Sequence, residues 1–282
     1  MEKFELNNHE LIPAVGFGVF MIPNDGPTYE ATLKALKAGY RHIDTAAGYM
    51  NESDVGKAIK DSGIDRKEIF ITSKLWLQDY GYENAKIGIE NSLKNLGVDY
   101  IDLYLLHQPY GDYLGSWKAL EEAVAQGKIK SIGISNVTIN LWNKFKDGMT
   151  IMPAVNQVEC NPFFQQKPLR EEMEKYGIKL EAWYPLGHGN KELLENEYLV
   201  SLANKYNKNV GQIILRWHYQ EGIISLPKST NDERIKGNID IFDFELTDEE
   251  MKNIQAMDTG KGTHDPEDLS NETRLMGLKI HD

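Results

Sequence analysis

Residues 101–135 read IDLYLLHQPYGDYLGSWKALEEAVAQGKIKSIGIS, which is an apolar run, a longer amphipathic segment and a second apolar run. The two apolar runs, 101–107 and 129–135, are typical of buried strands, and residues 115–126 are typical of a helix that stops at Gly127. This order predicts two parallel strands joined by a helical crossover. The number of such units along the chain then decides the fold.

The same alternation of short apolar runs and amphipathic segments extends along the chain. Segments 28–38 and 83–96 are two further examples of the predicted helices, and the connections often end in glycine. Strands are predicted at residues 15–18, 41–44, 69–74, 101–107, 129–135, 154–159, 178–183 and 223–227. Eight strand–helix units predict an α/β fold of the (β/α)8 barrel type, also called a TIM barrel.

Further segments flank the predicted barrel. Residues 4–6 and 11–13, with a turn at Asn7-Asn8, predict an N-terminal β-hairpin. The segment between the seventh and eighth strands is long enough for two helices, and residues 246–257 predict an extra helix followed by a C-terminal tail. Because the chain has no long linker and no other repeat, we expect one domain over residues 1–282.

The competing fold is a doubly wound dinucleotide-binding sheet. That fold would show Gly-x-Gly-x-x-Gly where the first strand turns into the first helix. The segment Gly16-Phe17-Gly18 has only the first two glycines, and no helical pattern follows at once. The barrel is therefore the better prediction.

The composition excludes several classes of protein. The chain has 282 residues, of which 31 are basic and 43 acidic, giving a formal net charge of −12. Such a surface repels nucleic-acid phosphates, and no apolar run approaches the roughly 20 residues that cross a bilayer. We therefore expect neither nucleic acid nor a membrane as a partner. A single cysteine, Cys160, and an N terminus without the apolar core of a signal peptide predict a cytoplasmic location.

Reactive side chains recur at the carboxyl ends of the predicted strands, where barrel enzymes place their chemistry. Asp44, Lys74 and His107 end the second, third and fourth strands, and Tyr49 lies in the loop after the second. Taken singly, the aspartate could cap a turn, the lysine could be a solvated cation and the histidine could be structural.

Together, these four residues suit the reduction of a carbonyl group. An ammonium kept charged by a carboxylate favours the phenolate of the tyrosine, and so makes its hydroxyl a better proton donor. The imidazole can donate a hydrogen bond to the same carbonyl oxygen. The hydride must come from a cofactor, because no protein side chain supplies one.

Three stretches of the chain resemble motifs of the aldo-keto reductase family. Residues 44–59, DTAAGYMNESDVGKAI, resemble the first signature of that family, and residues 98–107, VDYIDLYLLH, resemble its fourth-strand segment. Residues 226–229, LPKS, resemble its late cofactor motif, so that the likeness extends from about residue 4 to residue 258. The resemblance implies a monomeric, metal-independent barrel with a catalytic tetrad of Asp44, Tyr49, Lys74 and His107.

The implied activity is the NADPH-dependent reduction of aldehydes and ketones to alcohols, with Tyr49 as the proton donor. Small dicarbonyls, keto sugars and aromatic aldehydes are the implied substrates. By position, Ser135, Asn136 and Gln157 would hydrogen-bond the nicotinamide carboxamide, and Trp183 would stack on its ring. Leu186 would lie along the pyrophosphate.

The other end of the implied cofactor site lies after the eighth strand. Lys228, Ser229 and Arg234 fall where the family holds the adenosine 2′-phosphate, which implies NADPH rather than NADH, and Asn238 is placed at the same end. The alternative is that residues 230–233 simply form a capping box that opens a helix. Both interpretations can hold together.

The implied substrate site is less closely defined. Phe20, Trp76 and Tyr110 are candidates for its lining, although aromatic residues near strand ends are as often packing residues. Gln108 stands where many relatives have tryptophan, which predicts a more polar wall. The family would use the tail, residues 260–282, as part of the pocket rim.

Two other functions compete with carbonyl reduction. A cofactor-binding regulatory protein could keep the same barrel with little catalysis, although the presence of all four tetrad residues argues against it. A metal-dependent barrel hydrolase would need clustered ligands, and the 7 histidines contain no His-x-His and no His-Glu-x-x-His.

Overall fold

Short strands and helices alternate in the computed structural model, which describes residues 2–281. An antiparallel hairpin opens the chain, formed by β1 (Lys3–Glu5) and β2 (Leu11–Pro13). The parallel strands that follow are β3 Phe17–Gly18, β4 His42–Asp44, β5 Phe70–Leu75, β6 Ile101–Leu106, β7 Ile129–Ser135, β8 Val155–Glu159, β9 Lys179–Trp183 and β10 Ile224–Ser225. Each of these strands pairs with its neighbour in the sequence, in the order β3 to β10.

The barrel closes where β10 meets the first strand. Val15 bridges Ser225 in the parallel sense, the Gly16 amide donates to the Ser225 carbonyl at 2.9 Å, and the Ser225 amide donates to the Ala14 carbonyl at 3.1 Å. A Cβ atom on Gly16 would lie 2.6 Å from Nδ1 of His42, so this close approach requires glycine. The predicted (β/α)8 barrel is confirmed, and Gly16, just before β3, takes part in its closure.

Helices surround the strands, as the amphipathic segments predict. They are α1 Pro27–Ala38, α2 Glu52–Asp61, α3 Tyr82–Leu96, α4 Tyr113–Ala125, α5 Ile139–Phe145, α6 Lys167–Glu174, α7 Lys191–Leu194, α8 Glu197–Tyr206, α9 Val210–Gln220, α10 Asp232–Gly237, α11 Asp248–Gln255 and α12 Leu269–Met276. Two elements differ from expectation. A four-residue turn of helix, α7, precedes the two helices predicted between β9 and β10, and the tail forms a helix, α12.

The barrel interior is apolar at one end and polar at the other. Leu6 and Ile12 of the hairpin segment pack with Phe70, Leu103 and other residues near the amino ends of the strands. The hairpin therefore plugs that end of the barrel. Buried polar side chains occupy the opposite end, where the carboxyl ends of the strands meet.

Candidate active site

An ion pair buried inside the barrel forms the base of the candidate site. Lys74 of β5 is fully buried and donates to Asp44 Oδ1 at 2.7 Å and to the Thr45 carbonyl at 2.8 Å. The register of the strands explains this contact, because Asp44 pairs with Thr72, two residues before Lys74 on the same strand. The side chains of Thr72 and Lys74 therefore point to the same face of β5.

Tyr49 lies above this ion pair on a 3-10 turn, Ala47–Tyr49, that follows β4. Lys74 Nζ donates to the Tyr49 hydroxyl at 3.3 Å. The buried side chain of Asn51 holds the loop in place, since it accepts from Thr45 Oγ1 at 2.8 Å and donates to the Val19 carbonyl at 3.1 Å. The tyrosine hydroxyl is thus fixed next to an ammonium group.

His107 follows β6 and packs edge-on against two rings. The centroid of the His107 ring lies 5.5 Å from the centroid of the Tyr49 ring and 5.1 Å from that of the Trp76 ring. The structure therefore brings together Asp44, Tyr49, Lys74 and His107, the four residues predicted to form the tetrad. Their common position follows from the meeting of the carboxyl ends of neighbouring parallel strands.

Burial and charge set the protonation states of these groups. Burial alone would lower the pKa of Lys74, but the charges and hydrogen bonds of Asp44 and Tyr49 outweigh it and the net pKa is raised. Burial and the Lys74 charge lower the pKa of His107 well below its usual range, so its imidazole is neutral. Burial raises the pKa of Tyr49 to about 12, and Lys74 lowers it from a still higher level. The predicted effect of the ammonium is therefore present but smaller than that of burial.

Residues predicted to contact the nicotinamide lie in or directly after the carboxyl-terminal parts of β7, β8 and β9. Asn136 adopts a left-handed backbone conformation, with φ of 59°, and its Oδ1 accepts from Trp183 Nε1 at 3.0 Å. The half-buried Trp183 ring is thereby held beside Asn136. Ser135 Oγ donates to the Gln157 carbonyl at 2.9 Å. Strand pairing of Ser135 with Gln157 places these residues at one level of the barrel.

Gln157 also leads to a buried group that the sequence analysis missed. Its Nε2 donates to Asp44 Oδ2 at 2.8 Å and to Glu181 Oε2 at 2.7 Å. Glu181 is fully buried in the middle of β9. A charged residue inside an otherwise strand-like apolar run was the signal that could have identified it, because glutamate is almost never fully buried without a partner.

The residues predicted at the phosphate end lie after β10. Lys228 is exposed, while the buried Ser229 Oγ accepts from the Asn231 amide at 3.0 Å. Asn231 caps α10 by accepting from the Arg234 amide at 3.0 Å. The helix start considered as an alternative is thus present, but its third residue is Arg234 and no reciprocal capping box forms. Arg234 is exposed.

Two remaining cofactor candidates lie on either side of these residues. Leu186 precedes the turn Gly187–Gly189, in which Gly187, His188 and Gly189 all have positive φ. Asn238 is buried directly after α10. Both lie on the connections that follow β9 and β10.

Two of the three aromatic candidates for the substrate site lie next to Tyr49 or His107, and the third contacts the tail. The exposed Phe20 ring lies 4.9 Å from the Tyr49 ring, and the buried Trp76 contacts His107 as described above. Tyr110 instead donates to the Pro266 carbonyl at 2.9 Å, so that it holds the tail. Gln108 is buried, and its Oε1 accepts from Asn136 Nδ2 at 3.4 Å.

The C-terminal tail forms one wall beside the candidate site. Trp76 Nε1 donates to the Leu278 carbonyl at 2.9 Å, and Gln78 accepts from the Ile280 amide at 2.8 Å. Further back, the carboxylate of Glu159 accepts from the Thr263 amide at 2.7 Å. A cavity of about 1180 Å³ lies between this part of the tail and the ends of β7, β8 and β9. Asn136 and Trp183 line this cavity. The four residues of the predicted tetrad do not.

Residues 2–281 offer little support for the competing functions. They contain no group of three or more His, Cys, Asp or Glu side chains that could hold a metal ion, so a metal-dependent hydrolase finds no ligand set there. Among the helices of this described part of the chain, none is both long and apolar enough to cross a membrane.

Comparison with known proteins finds relatives along nearly the whole chain. The aldo/keto reductase family model matches residues 15–259. Glyoxal reductase of Bacillus subtilis (strain 168) is 47% identical over 257 residues, which cover 91% of this chain and 92% of that protein. Morphine 6-dehydrogenase of Pseudomonas putida is 42% identical over 269 residues, covering 90% of each. The crystal structure of a Bombyx mori aldo-keto reductase in complex with NADP matches with a TM-score of 0.87 and 36% identity, covering 96% of each chain.

Proposed function

The chain belongs to the aldo-keto reductase family, an oxidoreductase family that acts on carbonyl groups, and we propose that it reduces aldehydes and ketones with NADPH. One observation carries the proposal. The Tyr49 hydroxyl lies 3.3 Å from the Lys74 ammonium, which is itself paired with Asp44 at 2.7 Å. A hydroxyl held in this way can give its proton to a carbonyl oxygen as negative charge develops there.

His107 supports the same assignment of roles. Its imidazole is neutral because burial and Lys74 lower its pKa, so it donates a hydrogen bond without carrying a positive charge. Tyr49 is then the proton donor in reduction, and His107 orients and polarises the carbonyl oxygen. Phe20 and Trp76, which contact these two residues, flank the position of the substrate.

Several side chains fit a nicotinamide group. Both amide hydrogens of Gln157 are donated to carboxyl groups, so its Oε1 is left to accept a hydrogen bond from the carboxamide. Trp183 offers a half-buried ring for stacking, and its hydrogen bond to Asn136 fixes its orientation. When bound, the nicotinamide supplies the hydride. Ser135 and Asn136 complete the proposed carboxamide contacts, and Leu186 lies along the proposed path of the pyrophosphate.

NADPH is proposed over NADH because of two exposed cations. Lys228 and Arg234 make no side-chain hydrogen bond or ion pair with the residues that the structure describes, so both are free to contact a 2′-phosphate. Ser229 and Asn238 lie next to them in sequence. The bound NADP of the Bombyx mori relative supports this cofactor.

Small dicarbonyls are the first substrates to test, followed by keto sugars and aromatic aldehydes. The glyoxal reductase relative supports the dicarbonyls, and the polar wall formed by Gln108 suits small hydrated carbonyl compounds. The morphine 6-dehydrogenase relative shows that similar chains include a protein named for a much larger substrate.

The test is the oxidation of NADPH with this panel of carbonyl compounds, with NADH in parallel. Tyr49→Phe should lower turnover by about 10² to 10⁴-fold, the range of general acid catalysis, while NADPH still quenches tryptophan fluorescence. Tyr100→Phe, directly before β6 at the other end of the barrel, is the matched control. Binding without turnover by the unaltered protein would favour the regulatory protein instead.

A further inference from the structure

Glu181 is a fully buried carboxyl group that the mechanism above does not use. It lies at the centre of β9, where strand pairing places it opposite Gln157. A carboxyl group inside a barrel is costly unless it is hydrogen-bonded or keeps its proton. Its contacts should therefore show what it does.

The main contact of Glu181 is shared with Asp44. Gln157 Nε2 lies 2.7 Å from Glu181 Oε2 and 2.8 Å from Asp44 Oδ2. An amide nitrogen carries two hydrogens, so each carboxyl group receives one. This arrangement fixes which way the Gln157 amide faces, because the reversed orientation would place its oxygen against two carboxyl groups.

The charges around Glu181 do not balance if both carboxyl groups are ionised. The titratable groups that face it are Asp44, Lys74 and His42, whose Nε2 lies 3.7 Å from Glu181 Oε1. Burial and the Lys74 charge lower the pKa of His42 to about 3, so His42 is neutral. One ammonium thus faces two carboxyl groups, and the ammonium is already paired with Asp44.

One of the two carboxyl groups must therefore keep its proton, and the second oxygen of Glu181 indicates that it is Glu181. Glu181 Oε1 is buried and has no hydrogen-bond partner among the described residues. An ionised carboxylate would leave charge on this unpartnered atom, whereas a neutral carboxylic acid does not. Burial and the charge of Asp44 raise the pKa of Glu181 to about 8, in agreement with this geometry.

We propose that Glu181 is a positioning residue that, as a neutral acid sharing the Gln157 amide with Asp44, keeps Gln157 Oε1 available to the nicotinamide carboxamide. This role rests on the proposed function. Because Glu181 is neutral, it orients Gln157 without competing with Asp44 for Lys74. The site then contains one buried ion pair, between Lys74 and Asp44.

Two substitutions test whether Glu181 acts through its hydrogen bond with Gln157 or through a carboxylate charge. The side chain of E181Q still offers an oxygen to Gln157 Nε2, whereas that of E181L does not. We expect E181L to weaken NADPH binding by about tenfold, the effect of one net hydrogen bond, and E181Q to bind nearly as the unaltered protein does. Tryptophan fluorescence quenching measures both, and circular dichroism confirms folding.

A double-mutant cycle tests whether Glu181 acts through Gln157. Q157L alone should weaken NADPH binding at least as much as E181L. Adding E181L to Q157L should cause no further loss, since the group that Glu181 orients is already absent. Independent, additive losses would contradict the positioning role.

The protonation of Glu181 can be tested without a cofactor, from the pH dependence of stability. Between the usual glutamate pKa of 4.5 and the value of about 8, the unfolded chain ionises while the folded protein keeps the proton. Stability therefore falls as the pH rises through this window, and E181Q lacks that fall. The melting temperature of E181Q should rise relative to that of the unaltered protein from pH 5 to pH 8, by several degrees.

The outcomes distinguish this proposal from the function on which it rests. Unchanged NADPH affinity in folded E181L, or an equal loss in E181Q and E181L, would overturn the positioning role while carbonyl reduction stands. A melting-temperature difference that does not vary with pH would overturn the neutral acid. If the unaltered protein neither binds NADPH nor reduces any carbonyl compound, the proposed function fails and the positioning role fails with it.

Discussion

Two lysines lie at the carboxyl ends of barrel strands in this protein, one within its strand and one beyond it, and their surroundings are opposite. Lys74, near the end of β5, is fully buried and donates to Asp44, Thr45 and Tyr49. Lys228, three residues after β10, is exposed and has no side-chain partner in the described part of the chain. The proposed function therefore gives the same type of side chain two different roles at the two ends of the cofactor cleft.

The difference follows from the dielectric surroundings. Because Lys74 is fully buried, bulk water does not screen its charge, and the charge acts strongly on nearby atoms such as the Tyr49 oxygen. At the surface, water and salt screen Lys228, which suits a phosphate group that must both bind and leave. A buried cation is suited to chemistry, and an exposed cation is suited to recognition.

The largest expected effect is at the buried lysine. Lys74→Met should lower the turnover number for carbonyl reduction by about 10³-fold, since it removes the charge beside Tyr49 and leaves Asp44 unpaired. NADPH affinity should change much less. Steady-state kinetics and fluorescence quenching measure the two quantities, and Lys130→Met, at the amino end of β7, is the control. A similar loss in both variants would show that Lys74 has no special role.

The pH dependence tests the same region. In the proposed mechanism Tyr49 must be protonated to donate its proton, and burial raises its pKa to about 12. Burial also lowers the pKa of His107, so that it does not titrate near neutrality. The kcat/KM for carbonyl reduction should therefore stay nearly constant between about pH 6 and 9 and decrease, by up to about tenfold per pH unit, only in stronger alkali. A steep change close to pH 6.5 would instead indicate a titrating histidine.

A smaller, salt-dependent effect is expected at the exposed cations. Lys228→Ala or Arg234→Ala should each raise the KM for NADPH by about tenfold and leave the KM for NADH unchanged, because only NADPH has the 2′-phosphate. The difference should shrink at high ionic strength. Lys94→Ala on α3 is the matched surface control. An equal rise in the KM for NADH would show that these residues do not recognise the 2′-phosphate.

The smallest effect is expected in the tail, whose hydrogen bonds are part-buried or exposed. Gln78→Ala removes the contacts to the Ile280 amide and the His281 carbonyl, both 2.8 Å long. A looser tail should raise the KM for the carbonyl substrate by about two- to threefold with little change in kcat, because a single hydrogen bond near the surface adds little net stability. Gln126→Ala, after α4, is the control. A loss of kcat equal to that of Lys74→Met would contradict this ranking.

The sequence predicted the barrel and the tetrad for the same physical reason. Apolar runs alternating with amphipathic segments define parallel strands, and the carboxyl ends of those strands must meet, so Asp44, Lys74 and His107 could be placed together. Helix α12 could not be foreseen, because it lies in a polar tail without a clear apolar period. The contact of Glu181 with Gln157, 24 residues earlier, depends on strand register rather than on local pattern.

Barrel closure has a mechanical consequence. Most of the ring is joined by continuous ladders, but β3 and β10 are each two residues long. The segment at β3 meets β10 through one bridge, between Val15 just before β3 and Ser225, and through a few backbone amide contacts. Hydrogen exchange should therefore be fastest along this joint among the strands of the ring. Since Lys228 lies three residues after β10, transient opening of the joint would loosen the proposed phosphate end first and leave the buried ion pair undisturbed.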